Sequence, residues 1–357
     1  MKKILCVLLS VLLTLGLLSV AFAADAGAPA GGSFSVLCYN VAGLPDISFI
    51  TGGTRDVPAN QRAIGAFVSE KQYDIFAAQE DFGYHDDLVS ALDGYEYSTF
   101  HRGIVPFGDG TSTFTRTYPM YNEAHIEWNS LYGIADDGAD QLSTKGITYT
   151  CINVAPDVYI DFYNIHADAY GDEGSLAARR DNFTQLRDLI NGRDVDRAVI
   201  VTGDFNAYLY GDPSGLKEIL IEGAGLKDAW VEFENGGDYD DCSAWLAQSG
   251  ESWADKWGRG DSVERFLYKD GGGVTLNLED FGYLNIYNGN GEDCSDHVAA
   301  EAVFSYTVSV ADAGEGLEKK EYSSFLEFFR RVFEFFRALL LGLGNLDKVV
   351  DYLQNQP

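Results

Sequence analysis

The sequence predicts a layered α/β domain, and three observations lead to that fold class. Several short runs of mainly apolar residues are typical of buried strands, among them residues 34–40, 74–80 and 198–202. Segments with helical spacing of apolar residues stand between some of these runs, for example after Pro58. The composition is that of a globular protein, with 46% hydrophobic residues and 39 glycines among 357 residues.

The expected elements follow in chain order behind a spacer of small residues at 24–33. Strands are predicted at 34–40, 74–80, 147–154, 158–165, 198–202, 263–268, 274–278 and 298–310. Helices are predicted to begin at Pro58, which suits a first helical turn, at Ser175, which can cap one, and near His85 and Leu216. Residues 95–146 and 211–260 are rich in turn-forming residues, so we expect long loops and hairpins there.

The amino-terminal residues have the three parts of a secretory signal peptide. Lys2 and Lys3 precede an apolar run at 4–20, and the small residues Ala21 and Ala23 frame a cleavage site. We therefore expect residues 1–23 to be removed and the mature protein to be secreted. The alternative is an uncleaved anchor helix that keeps the protein associated with a membrane.

The carboxyl-terminal residues 311–357 predict a linker followed by an amphipathic helix rich in phenylalanine. At helical spacing, Phe325, Phe329 and Phe336 share one face, while charged residues of both signs occupy the other. Three roles stay open for this helix: packing on the domain, pairing with a copy of itself, or contact of residues 325–343 with a membrane surface.

The formal net charge of −30 limits the partners that the surface can attract. Nucleic-acid binding requires Lys and Arg to neutralise phosphates, so a nucleic-acid partner is less expected than a lipid. An acidic surface suits an extracellular protein that binds divalent cations. We expect the protein to be a monomer.

The cysteines divide into two pairs behind the predicted signal peptide. Cys38 and Cys151 lie in predicted strands and are expected to be small core residues. Cys242 and Cys294 lie in polar loops, so they are the favoured disulfide pair in an oxidising compartment.

Polar side chains stand at the ends of several predicted strands. They are Asn40, Glu80, His166, Asp204 with Asn206, and Asp296 with His297. Metal-assisted attack on a phosphoester needs carboxylate and amide oxygens for the cation. It also needs groups that place the attacking water and assist the leaving oxygen. Together these residues predict phosphoester hydrolysis.

The motifs that contain these residues resemble those of a known superfamily. They are Tyr39-Asn40-Val41, Gln79-Glu80, Tyr163-Asn164-Ile165-His166, Gly203-Asp204-Phe205-Asn206 and Ser295-Asp296-His297. Over residues 34–307 the chain resembles the endonuclease/exonuclease/phosphatase superfamily, whose fold is shared by deoxyribonuclease I and bacterial sphingomyelinases. The runs at 39–45 and 79–85 resemble a secreted, sphingomyelinase-like branch. The resemblance implies a four-layer α-β-β-α sandwich of two packed mixed sheets, formed by residues 34–310.

The resemblance also implies a metal site and a position for the attacking water. Glu80 would be the principal ligand of Mg²⁺, with Mn²⁺ or Ca²⁺ as alternatives, and Asn40 and Asp296 would assist it. Asp204 and Asn206 would orient the attacking water and contact the phosphate.

Two histidines receive roles from the same resemblance. His297 would act as general base or phosphate contact, and His166 would stabilise or protonate the leaving group, although these two roles could be exchanged. Glu264 stands where the family has an Asp that holds the last histidine, so we expect it to orient His297. The alternative for Glu264 is a surface acid that pairs with Arg265. Lys145, at the entry of a predicted strand, could contact phosphate.

The leading functional hypothesis is a secreted Mg²⁺-dependent phosphodiesterase that acts on a phospholipid headgroup, as a sphingomyelinase does. A secreted nuclease of the deoxyribonuclease I kind and an inositol-phosphate phosphatase are the alternative enzymes. A catalytically silent, surface-binding module is the alternative from a different class. The strand-end residues indicate the reaction, whereas the loops decide the substrate.

Overall fold

The computed structural model describes residues 31–44, 56–103, 108–133, 140–209, 213–239 and 261–320. Within these ranges the strands are β1 (Gly31–Asn40), β2 (Ile75–Gln79), β3 (Tyr97–Ser98), β4 (Ser112–Thr115), β5 (Met120–Glu127), β6 (Gly146–Ala155), β7 (Val158–His166), β8 (Ala198–Asp204), β9 (Lys227–Asp228), β10 (Glu264–Lys269), β11 (Val274–Leu284) and β12 (Ala299–Val308). The helices are α1 (Val57–Lys71), α2 (His85–Ser90), α3 (Glu173–Asn191) and α4 (Ala229–Asn235), with a short π-helix at Lys217–Glu222. The predicted signal peptide, Cys242 and the predicted helix at 325–343 lie outside the described residues.

The strands form two sheets that repeat one arrangement. Their orders are β11-β12-β1-β2-β4-β3 and β5-β6-β7-β8-β10-β9. Each sheet has a central parallel pair, β1 with β2 and β7 with β8, and the strands on either side run antiparallel to it. The chain between the paired strands crosses over through α1 in one sheet and α3 in the other, as parallel neighbours require. Each sheet therefore brings the carboxyl ends of two strands to the same edge.

The sheets pack face to face, and helices cover their outer faces. Val36 and Cys38 of β1 point into the core between the sheets, whereas Leu37 and Tyr39 point outward. The outward residues of the first sheet pack with α1 and α2 through Ile64, Val68 and Leu88. On the second sheet, α3 contributes Phe183, Leu186 and Ile190. The predicted α-β-β-α sandwich of two mixed sheets is confirmed.

The helix starts illustrate how local sequence sets the elements. The side chain of Asp56 accepts from the Ala59 N–H and caps α1, with Pro58 in the first turn as predicted. The predicted cap of α3 at Ser175 is wrong by three residues. Asp172 is the cap, because its carboxylate accepts from the N–H groups of Gly174 and Ser175 at 2.9 and 3.1 Å.

Two predictions about loops are also corrected. The stretch 95–146 was expected to be loops and hairpins over a sheet, but it supplies β3, β4 and β5 to the sheets themselves. Three of the four residues of β4 are small and polar yet buried, so Phe114 alone gives the strand an apolar signal. Strand β1 begins at Gly31, inside the expected spacer 24–33, because its first residues pair with β12 through backbone hydrogen bonds. No helix in the described part of the chain is both long and apolar enough to span a membrane.

Candidate active site

A buried polar layer connects the two sheets beneath the strand ends. The Gln79 side-chain amide donates to Oδ1 of Asn164 at 2.8 Å, across the interface between the sheets. The Asn164 amide donates in turn to the backbone carbonyls of Ala78 and Ser112, at 3.1 and 3.0 Å. Both amide side chains are fully buried, where an unpaired polar group costs about 1–3 kcal/mol. These contacts fix one sheet on the other just below the predicted site residues.

Three predicted site residues meet at the carboxyl ends of β1 and β8. Nδ2 of Asn40, the last residue of β1, donates to Oδ2 of Asp204, the last residue of β8, at 3.0 Å. The same nitrogen lies 3.4 Å from Nε2 of His297, which precedes β12. Asn40 and Asp204 are buried, whereas His297 is partly exposed. The fold thus joins residues up to 257 positions apart in the chain.

Ser295 holds the His297 loop against the end of β1. Its hydroxyl donates to the Asn40 carbonyl oxygen at 2.7 Å and accepts from the His297 backbone N–H at 3.1 Å. Asp296 lines a pocket of about 200 Å³ together with Glu264 and His297. The Ser-Asp-His run therefore supplies the contact that fixes the loop as well as two side chains that face the pocket.

Glu264 is the hydrogen-bond partner of His297. Its Oε1 lies 2.5 Å from His297 Nδ1, and its Oε2 accepts from the Ser262 hydroxyl at 2.6 Å. Burial by itself lowers the pKa of His297, but the hydrogen bond to Glu264 and the charges of Glu264 and Asp204 raise that pKa to about 10. Glu264 thus binds Nδ1, and Nε2 faces Asn40.

The alternative that Glu264 is a surface acid paired with Arg265 is wrong. Glu264 is 1% exposed and bound to His297. Arg265 points elsewhere, into buried ion pairs with Asp228, at 2.7 Å, and with Asp261. The contact of Glu264 with His297 agrees with the expected role of Glu264 in orienting that ring, which stays a prediction.

His166 also lies close to Asp204. It ends β7, and its Nε2 lies 3.4 Å from Oδ2 of Asp204. Burial and the nearby Lys145 ammonium hold the pKa of His166 well below its usual value, although the Asp204 carboxylate opposes this shift. The His166 ring is therefore neutral at pH 7 and can donate through one nitrogen while accepting through the other.

The Gly-Asp-Phe-Asn run folds back to orient the Asp204 carboxylate. The Asn206 N–H donates to Oδ1 of Asp204 at 2.9 Å, and the Asn206 amide donates to the Ala167 carbonyl at 3.1 Å. Asn206 has a φ of 49°, in the left-handed region that Asn tolerates better than most residues. One oxygen of Asp204 thus faces Asn206 while the other faces Asn40 and His166.

Glu80 follows β2 in an unusual backbone conformation. Its φ is 55°, and its carbonyl accepts from the Gly43 N–H at 3.1 Å. A Cβ on Gly43 would lie 2.6 Å from that carbonyl oxygen, so only glycine permits the contact. Burial raises the pKa of the Glu80 carboxyl, Lys145 and His297 oppose this, and Asp296 raises it further. Glu80 therefore shares the site with the predicted residues from both sheets.

Lys145 contributes a buried positive charge at the start of β6. It forms an ion pair with Asp140, which is itself fully buried and accepts from the Ala169 N–H at 2.7 Å. Burial lowers the pKa of Lys145, but the charges of Asp140 and Glu80 outweigh this and raise it. The Lys145 ammonium group therefore stays charged at neutral pH and lies near the carboxylates of Asp140 and Glu80.

The donor atoms present suit a hard divalent cation. Glu80 and Asp296 offer carboxylates whose mutual repulsion a cation would relieve, and the Asn40 amide oxygen has a second lone pair beside its bond from the Ala42 N–H. Ligand atoms of Asp204, Glu264 and His297 also lie within 4.8 Å of one another. Since His297 Nδ1 is bound to Glu264, the oxygen set of Glu80 is the better match to Mg²⁺.

Sequence reasoning found the polar residues at the strand ends but missed the side chains that hold them. Ser262 anchors Glu264, Asp140 pairs with Lys145, and the Trp128 indole N–H donates to the His166 carbonyl at 2.7 Å. A buried Trp needs an acceptor for its N–H, which was the one available signal, but the acceptor itself depends on the tertiary fold.

No family model matches the sequence. The fold is the DNase I-like sandwich. Two solved structures share the fold, each with a TM-score above 0.5. Sphingomyelinase C from Streptomyces griseocarneus has a TM-score of 0.52 and 17% identity, and the match covers 76% of this chain and 99% of that one. Beta toxin of Staphylococcus aureus with bound magnesium ions has a TM-score of 0.53 and 16% identity over 76% and 99% of the two chains.

A curated relative brings the comparison closer in sequence. A sphingomyelinase from Mycobacterium tuberculosis is 29% identical over 290 residues, which cover 77% of this chain and 53% of the relative. The chain thus spans about half the length of the curated relatives it matches first. These sphingomyelinase relatives and structural neighbours point to the endonuclease/exonuclease/phosphatase superfamily, and the resemblance found in the sequence is confirmed.

Proposed function

We propose that the chain is a metal-dependent phosphodiesterase that hydrolyses a phospholipid headgroup, with sphingomyelin as the representative substrate. The observation that carries this proposal is the meeting of two histidines and two carboxylates, contributed by both sheets, in one cluster at the strand ends. His166 and His297 each approach Oδ2 of Asp204, at 3.4 and 3.9 Å, and Glu264 holds His297 from behind. The sphingomyelinase relatives support a lipid phosphoester as the substrate class.

The metal belongs to the proposal as well. Glu80, Asn40 and Asp296 would hold a divalent cation, expected to be Mg²⁺, whose chemistry is to polarise the phosphoryl oxygens. A neighbour of the same fold carries magnesium ions, which supports this choice. The fixed carboxylate of Asp204 would orient the attacking water, and Asn206 would contact the phosphate beside it.

The two histidines would serve the proton transfers. Glu264 binds Nδ1 of His297, so Nε2 is the atom that faces the reacting groups. With a pKa of about 10 the ring is protonated near pH 7, which suits phosphate contact, and it would act as general base only after losing that proton. His166, neutral and buried beside Asp204, would assist the leaving oxygen. The geometry places both rings on one carboxylate, so the two roles stay exchangeable.

The nuclease alternative gains no support from the loop residues that it needs. A nuclease requires basic side chains that can reach phosphates along a groove. Arg102 and His125 are instead directed at the buried Asp109 carboxylate, at 3.4 and 2.6 Å, and Lys145 at Asp140. These cations neutralise internal acids, which favours a lipid substrate over nucleic acid.

The proposal is tested by hydrolysis of three substrates with and without Mg²⁺. The purified protein is incubated with sphingomyelin liposomes, plasmid DNA and inositol phosphates, beside the variants Glu80→Gln and His297→Ala. We expect Mg²⁺-dependent release of the headgroup from liposomes, lost in both variants. Cleavage of DNA alone would reject the lipid assignment, and the absence of turnover on every substrate would favour a binding module.

We also propose that the protein is exported after cleavage behind Ala23 and that residues 325–343 contact lipid. The n-region, apolar run and small residues at 1–23 support export, and the phenylalanine-rich face supports lipid contact. Amino-terminal sequencing of protein recovered from the culture medium tests the first statement. Recovery of uncleaved protein in the membrane fraction would favour the anchor helix.

A further inference from the structure

A second group of metal-binding side chains lies beside the proposed active site, on the segment that follows Glu80. Asp81, His85 and His101 each offer one ligand atom, and these atoms lie within 4.8 Å of one another. Asp81 is buried, whereas His85 and His101 are partly exposed, so a cation can reach the group from solvent. None of the three residues has a place in the proposed hydrolysis.

The contacts within the group are close and directional. Nδ1 of His85 lies 2.6 Å from Oδ2 of Asp81, and Nε2 of His101 lies 3.0 Å from the Asp81 carbonyl oxygen. The two imidazole rings stack with centroids 3.8 Å apart and planes 4° from parallel. The fold therefore already holds both rings against the same aspartate, and small side-chain rotations would turn their nitrogens toward one ion.

The Asp81 carboxylate supplies an independent observation. Its Oδ2 also accepts from the Ser112 hydroxyl at 2.6 Å, while its Oδ1 is buried and has no hydrogen-bond partner among the described residues. A buried carboxylate oxygen without a partner costs about 1–3 kcal/mol or more, so a ligand or a water molecule would be favourable there. A metal ion at this oxygen would remove that cost.

We infer that Asp81, His85 and His101 form a binding site for a transition-metal ion of the Zn²⁺ class. Two imidazoles and one carboxylate are typical Zn²⁺ ligands, and three protein ligands leave a fourth position for water. Mg²⁺ prefers an all-oxygen environment, so the set at Glu80 and the set at Asp81 select different cations. The inference goes beyond the proposed hydrolysis and does not depend on it.

The position of this site gives the ion a means to act on the active site. Asp81 follows Glu80 directly, and its N–H donates to the Gly110 carbonyl at 2.9 Å. An ion bound to Asp81, His85 and His101 would cross-link the segment after β2 to the loop that contains His101. It would thereby restrict the backbone that presents the Glu80 carboxylate.

The test uses the full chain, freed of metal with a chelator and then saturated with Mg²⁺ so that the oxygen site is filled. Co²⁺ is added as a spectroscopic probe, and Zn²⁺ affinity is measured by competition. We expect one equivalent of Co²⁺ to bind with visible ligand-field bands of nitrogen coordination, and Zn²⁺ to displace it. Binding should weaken at least about tenfold in His85→Gln and in His101→Gln.

The control is Asp86→Asn, which changes a carboxylate next to His85 that is not part of the group. This variant should bind Co²⁺ as the unaltered protein does. Glutamine can still donate to Asp81, so the histidine variants are expected to fold, and circular dichroism checks this. As a second measurement, histidine side-chain NMR of the unaltered protein should show Zn²⁺-dependent shifts of His85 and His101.

The outcomes separate this inference from the proposed function. Co²⁺ binding that is unchanged in both histidine variants, or NMR signals of His85 and His101 that do not respond to Zn²⁺, would overturn the site. Loss of lipid hydrolysis in Glu80→Gln with intact Co²⁺ binding would support both proposals. Absence of hydrolysis with intact Co²⁺ binding would reject the hydrolase and leave the Zn²⁺ site standing.

Discussion

Replacing Glu264 by alanine should reduce hydrolysis strongly while the fold is kept. The change removes the acceptor that lies 2.5 Å from His297 Nδ1 and the partner of the Ser262 hydroxyl. A hydrogen bond to a charged group contributes about 1.5–3 kcal/mol. Since about 1.4 kcal/mol corresponds to tenfold in rate, kcat should fall roughly 10- to 150-fold if the whole contribution is lost in the transition state.

The assay is Mg²⁺-dependent release of headgroup from sphingomyelin liposomes, with kcat and KM measured separately. The loss should appear in kcat, because Glu264 contacts His297 and not the substrate. Glu264→Gln keeps an acceptor oxygen, so its kcat should lie between those of the unaltered protein and Glu264→Ala. The control is Glu70→Ala, an exposed position on α1. Activity of Glu264→Ala within about threefold of the unaltered protein would refute the orienting role.

Three further predictions concern stability and lipid contact. Burial by itself lowers the pKa of His125, but Asp109 outweighs this effect and raises the pKa from 6.5 to about 9. The stabilisation of the folded state by protonated His125 is therefore complete below pH 6.5 and is lost as the pH rises through 9. Chemical denaturation at both pH values should show a loss of unfolding free energy on the order of 3 kcal/mol that is absent in His125→Gln. An equal dependence of the unfolding free energy on pH in the two proteins would contradict this. Lys145→Gln leaves the Asp140 carboxylate buried without its ion pair, so the free energy of unfolding should fall by about 3–5 kcal/mol, and an unchanged melting temperature would exclude the pair as a stabilising element. Deleting residues 321–357 should weaken liposome sedimentation without changing the melting temperature, and equal sedimentation would reject the membrane helix.

Apolar runs predicted the central strands well because those strands are buried on both faces. The runs at 34–40, 74–80 and 198–202 became β1, β2 and β8, the strands that end at the site. Strand β4 was missed, since its Ser-Thr-Phe-Thr sequence is buried through hydrogen bonds and a single aromatic ring. The signal for such a strand lies in its neighbours, which only the tertiary fold supplies.

The candidate site was predictable where side chains belong to short motifs at strand ends. Parallel strands place their carboxyl ends at one edge, so Asn40 and Asp204 could be expected to meet once the two sheets were assumed to pack. The buried pair of Lys145 and Asp140 could not, because nothing in the local sequence distinguishes them from surface residues. The group of Asp81, His85 and His101 also depends on a loop closing back across the sheet, which sequence spacing does not reveal.

Each sheet contains only part of the proposed chemistry. The first contributes Asn40, with Glu80 directly behind β2, and the second contributes His166, Asp204 and Glu264. A chain in which the sheets have not yet docked therefore has no complete set of reacting groups. The proposed catalytic competence would arise in the same step as the interior, so a newly made polypeptide would be inert without any separate inhibitor.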